Sequence, residues 1–132
     1  MKTLRIYTNN PLVEAKYPEI THVCENGAQG VLITARDKVH HGAKLVCHPL
    51  SGCVLPGISP YKSLIITDIQ ENIPQKTDFN SLTLIEEAIR ALKKPPEGFS
   101  GYDEKTLEDF RVLDLDLIQS ALAGSGFYPG VL

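Results

Sequence analysis

Leu45 to Ile66 reads LVCHPLSGCVLPGISPYKSLII, two short apolar runs separated by a stretch rich in turn-forming residues. Leu45-Val46-Cys47 has the composition of a buried strand, and Ser63 to Thr67 that of the next one. The residues between include His48, Pro49, Ser51, Gly52, Pro56, Gly57, Ser59 and Pro60, which together suit neither a helix nor a central strand. A structureless loop of this length in a compact domain is uncommon and is usually functional or disordered. Function is the expectation here.

Toward the N-terminus, Leu4 to Thr8 is a β-favouring run stopped by Asn9-Asn10-Pro11. Asn10 is placed to cap a helix over Pro11 to Tyr17, because Pro at the first helical position gives up no needed N–H. Ile20 to Cys24 reads as a second strand, with Asn26-Gly27 as the turn after it. From Ala28 to His41, Ala28, Leu32, Ala35 and Val39 recur at spacings of 4, 3 and 4, the pattern of a one-sided helix. Gly42 supplies its left-handed stop.

Toward the C-terminus, Asp68 to Asn80 is a polar connection, and Ser81 to Lys94 is a second amphipathic helix on which Glu86 stands one turn before Arg90. Pro95-Pro96 ends it. A linker, Glu97 to Tyr102, precedes a helix from Asp103 to Phe110. Asp114 then caps a last helix whose Leu115, Ile118, Ala121 and Leu122 face inward, ending at Gly124. Arg111 to Leu113 reads either as a kink between those helices or as a short fifth strand.

The 132 residues, 42% hydrophobic, suit a single α/β domain over 1–132 with C-terminal helices. Strands alternating with helices predict a small three-layer sandwich with a mostly parallel four-stranded sheet of order 2-1-3-4, Rossmann/flavodoxin-like. In such a sheet the first and third strands are neighbours, and a ligand crevice lies outside their carboxyl ends. Asn9 and Asn10 would then face His48, Ser51 and Gly52.

A net charge of -3 with scattered Lys and Arg excludes the basic stripe of a nucleic-acid surface. No run reaches the roughly 20 apolar residues of a membrane span, and MKTLRIYTNNP reads as strand rather than signal peptide, so a cytoplasmic location is expected. Three irregularly spaced cysteines suit a reducing compartment.

His48 stands at a strand's carboxyl end before Pro49, either as a ligand-binding or acid–base imidazole or as a tie between loop and sheet. It is the candidate catalytic residue. Ser51-Gly52 offers backbone N–H groups and a hydroxyl to an anion, or forms a plain turn. Tyr61-Lys62 closes the loop, Lys62 being its one cation, to cover a ligand or to sit in solvent. Cys53 is the better candidate for a reactive thiol, while Cys24 and Cys47 read as buried. No P-loop or dinucleotide glycine pattern is present, Gly27 and Gly30 completing neither, and the Cys47-His48-Cys53 spacing matches no common zinc motif. No cofactor or metal is expected.

Thr8-Asn9-Asn10-Pro11, His48-Pro49-Leu50-Ser51-Gly52, and Pro56 with Pro60-Tyr61-Lys62-Ser63 resemble the GrdX family, as does Asp114-Leu115-Asp116-Leu117-Ile118. The resemblance spans most of the chain. These small proteins are encoded beside the glycine, sarcosine and betaine reductase genes of amino-acid-fermenting anaerobic bacteria. The resemblance implies a cytoplasmic accessory role near a selenium- and thiol-dependent reductase that makes acetyl phosphate, and supplies no reaction. Three expectations follow: a small anionic ligand bound by Asn9, Asn10, His48, Ser51, Gly52, Tyr61 and Lys62; an enzyme acting on a phosphorylated or carboxylated metabolite with His48 as acid–base; or a docking partner of the glycine or betaine reductase components.

Overall fold

The computed structural model describes residues 4–46, 59–67, 76–92 and 101–124. In order these form strand β1 (Leu4–Thr8), helix α1 (Pro11–Lys16), strand β2 (Thr21–Val23), helix α2 (Gly27–His40), strand β3 (Ser63–Thr67), helix α3 (Phe79–Leu92) and helix α4 (Glu104–Gly124).

The sheet has the order β2-β1-β3 and is mixed: β2 runs parallel to β1, and β3 antiparallel to it. This corrects the expectation of a mostly parallel four-stranded, Rossmann/flavodoxin-like sheet of order 2-1-3-4. Ser63–Thr67, expected at the edge, pairs directly with β1, Thr8 opposite Ser63 and Leu4 opposite Thr67. Leu45, expected in a strand beside β1, instead forms an isolated antiparallel bridge to Ile66 on the far side of β3. The Val46 N–H donates to Ile65 O at 2.9 Å, and the Thr67 N–H to Lys44 O at 2.9 Å.

The physical reason lies in the connection. Parallel neighbours need a crossover, usually a helix, to carry the chain back to the starting end, whereas antiparallel neighbours can be joined directly by a loop. Residues 47–62 contain five prolines and glycines too closely placed for a crossover helix. The antiparallel return satisfies that composition.

Side-chain alternation across the pleat sorts the core into two faces. Tyr7, Leu64 and Ile66 pack with Val31, Leu32, Ala35 and Val39 of α2 and Ile85, Ala88 and Ile89 of α3. Ile6 and Ile65 on the other face pack with Val13 of α1 and Ile118 and Leu122 of α4.

Helix ends follow local chemistry closely. Asn10 caps α1 through its side-chain oxygen, which accepts the Leu12 N–H at 3.0 Å, and Pro11 occupies the first turn. At the end of α2, the Gly42 N–H reaches Val39 O and the Ala43 N–H reaches Lys38 O, the two bonds of a Schellman stop. Gly42 sits at φ 108°, where a side chain would be strained.

Two expectations about the helices change. Glu86 meets Arg36 of α2 at 3.3 Å, fastening α2 to α3 rather than pairing along its own helix with Arg90. Arg111 to Leu113 is neither a kink nor a strand, because α4 continues through it. Its start is capped by Asp103, whose Oδ1 accepts the Thr106 N–H at 2.8 Å; the Thr106 hydroxyl and that N–H hold the Asp103 carboxyl below the usual range. No helix among the described residues is long and apolar enough to cross a membrane.

Candidate functional site

Because β3 is antiparallel to β1, the carboxyl end of β1 lies beside the amino end of β3. Asn9-Asn10 therefore meets Tyr61-Lys62-Ser63, the end of the long loop. The expected crevice between the first and third strands does not form in that way. His48, Ser51, Gly52, Cys47 and Cys53 lie outside the described residues.

Asn9 is the clamp between the two segments. Its Nδ2 donates to Pro60 O and its Oδ1 accepts the Lys62 N–H, both at 2.8 Å. Its own backbone N–H reaches Lys62 O at 3.4 Å. The chain on either side of Tyr61 is thus held by one side chain. Ser59 adds a turn by accepting the Tyr61 N–H at 3.2 Å.

Lys62, expected in solvent or over a ligand, is only 7% exposed. Lysine is rarely buried to that degree unless its charge is compensated. Tyr61 is half-buried, and Arg111 of α4 lies against it: Nη1 donates to the phenol oxygen at 2.9 Å, and the guanidinium carbon is 5.6 Å from the ring centroid. The same guanidinium is held by the carboxylates of Glu104 and Glu108, the latter at 2.8 and 3.0 Å. These partners favour its charged form still further.

Behind this surface runs a buried polar chain. The Asn10 N–H donates to Thr8 Oγ1 at 2.9 Å, Thr8 Oγ1 lies 2.7 Å from Ser63 Oγ, and Ser63 donates to Asp114 Oδ2 at 2.6 Å. A hydroxyl has one proton, so with Ser63's given to the carboxylate, Thr8 is the donor to Ser63. Asn10 Nδ2 closes the ring, donating to Asp114 Oδ2 at 3.0 Å and to Arg111 O at 2.9 Å. Thr8, Asn10, Ser63 and Asp114 are all buried, and the two bonds to Asp114 tie β3 and the cap of α1 to α4.

Asn10 therefore has both amide protons and its oxygen engaged within the protein, while Asn9 organises the loop. Sequence reasoning missed Arg111 and Asp114. Asp114 was expected at a helix start, and the available signal was its placement: an acidic residue four before Ile118 on the stripe that continues to Leu122 belongs to the buried face of one long helix.

A separate cleft of about 410 Å³ opens beyond the carboxyl end of β2, where His22, Cys24, Glu25, Gln29 and Thr34 line it. Cys24 is buried, and burial pushes its thiol up, which disfavours the nucleophilic thiolate. Asn26 and Gly27 both take left-handed conformations in the turn above it.

These features define an α/β protein with a mixed three-stranded sheet, whose central strand ends in an asparagine clamp backed by a buried carboxylate from the C-terminal helix. The chain belongs to the GrdX-like protein family, whose model matches residues 5–123. Comparison with curated proteins gave no match, and comparison with solved structures gave none.

Proposed function

We propose that this GrdX-like protein is an accessory factor of a glycine, sarcosine or betaine reductase system that binds a small anion beside Asn9 and Lys62. The observation that carries the reading is the clamp by which Asn9 fixes Pro60 and Lys62 at the carboxyl end of the central strand, bringing a cationic residue and an amide to one place. A lysine at this end of the sheet offers an ammonium for a charge-assisted bond to a phosphate or carboxylate oxygen. Lys44 to Val46 also advances along β3 toward this end of the sheet, which supports His48, Ser51 and Gly52 as further contributors.

Titration calorimetry with inorganic phosphate and with acetyl phosphate tests the reading. The expected result is saturable binding to the wild type, weakened about tenfold or more in Lys62→Gln, the scale of one charge-assisted hydrogen bond. Equal affinity in both proteins, or no saturable binding to either, would overturn it.

A further inference from the structure

We infer that Arg111 is a second cation for the anion site and that Glu104 and Glu108 hold it in reserve, occupying its guanidinium until an anionic ligand displaces them. This rests on the anion-binding reading and adds to it a residue and a mode of regulation. Arg111 is anchored at its backbone, where its carbonyl accepts from Asn10, and its side chain lies on Tyr61, the neighbour of Lys62. Position and charge thus bring it to the same end of the sheet as the asparagine clamp.

The two glutamates are the kind of ligand that the site would take. Each presents a carboxylate to the guanidinium, Glu108 through two donors and Glu104 through one. Their side chains are 78% and 51% exposed for Glu104 and Glu108, against 13% for Arg111. The guanidinium is therefore the sheltered partner and the carboxylates are the solvated ones. Ion pairs with that much exposure contribute little individually, so an incoming oxyanion can replace them at small cost. A planar guanidinium fits two oxygens of one carboxylate or phosphate as well as it fits two separate glutamates.

Removing the internal competitors should strengthen binding. Calorimetry with inorganic phosphate is expected to show about fivefold tighter binding in Glu104→Gln/Glu108→Gln. The double variant Asp109→Asn/Asp116→Asn changes net charge equally on exposed positions of the same helix that do not touch Arg111, and its affinity should stay within about twofold of wild type. Arg111→Met, which keeps a stem over Tyr61, should weaken binding and abolish the gain from the glutamate changes when the three are combined.

Loss of binding in Lys62→Gln together with unchanged affinity in both Glu104→Gln/Glu108→Gln and Arg111→Met would overturn the reserve role and leave the anion site standing. Equal gains in the two double variants would overturn it as well, assigning the effect to net charge. Absence of phosphate binding in the wild type and in every variant would overturn both readings. Thermal melts without phosphate check that each variant folds.

Discussion

In Asn10→Asp the cap of α1 survives, since aspartate caps a helix as well as asparagine does and the oxygen accepting the Leu12 N–H is retained. What changes is the other half of the side chain. The Nδ2 that donates to Asp114 Oδ2 at 3.0 Å and to Arg111 O at 2.9 Å becomes an oxygen, placing an acceptor against a buried carboxylate. The lost charged hydrogen bond is worth about 2 kcal/mol. Two carboxylates at that separation would repel by up to about 5 kcal/mol at an effective dielectric of 20, an upper limit that sharing a proton reduces. A net loss of about 3 kcal/mol follows, and at roughly 2.1 cal/mol/K of unfolding entropy per residue it lowers Tm by about 10 °C. Urea and thermal unfolding at pH 7 measure it. The loss should shrink as pH falls toward 5, because a proton between the two carboxyls restores a donor. The exchanged pair Asn10→Asp/Asp114→Asn should recover most of the stability, the amide now reaching from α4. A stability within about 0.5 kcal/mol of wild type for Asn10→Asp would refute the network, as would an exchanged pair no more stable than the single variant.

Three further outcomes are expected. Gly30→Ala should destabilise by about 2 kcal/mol or more in chemical denaturation, because a Cβ there would stand 1.8 Å from Glu25 O, whereas Gly124→Ala, with open space around it, should be nearly neutral. Ile65→Ala empties a fully buried position on the face of β3 that packs with Val13 of α1 and Ile118 and Leu122 of α4, and should cost about 2–5 kcal/mol in the same assay. Alkylation followed by peptide mass spectrometry should label Cys24 at least about tenfold more slowly in native protein than in urea, since burial both shields the thiol and suppresses its thiolate; equal rates would refute that shielding.

Much of the local structure was legible because it depends on neighbours in sequence. Asn10-Pro11 starts α1, Gly42 stops α2, and the apolar spacing of Leu32, Ala35 and Val39 marks the face that packs on the sheet. The family was legible from short motifs at the strand ends, and the family match covers residues 5–123. Continuity of α4 was harder to read, because its inward stripe carries Arg111 and Asp114 where apolar residues were sought, while Val112 and Leu113 are 51% exposed. A helix whose buried face includes a carboxylate looks interrupted to any reading based on hydrophobic period. The pairing of Glu86 with Arg36 was missed for a related reason: spacing along one helix says nothing about which cation a neighbouring helix presents.

By itself, the sequence determined where α1 begins, where α2 ends and which face of α2 is apolar, through a cap, a turn residue and apolar periodicity acting over a few residues. Only the tertiary structure decided that Ser63–Thr67 inserts beside β1, which puts Lys62 against Asn9 and Ser63 against Thr8. It alone also brought Asp114 to Asn10, 104 residues away. Strand order and buried polar pairing are settled by which surfaces exclude water together and which buried donors find acceptors, and both are properties of the assembled chain.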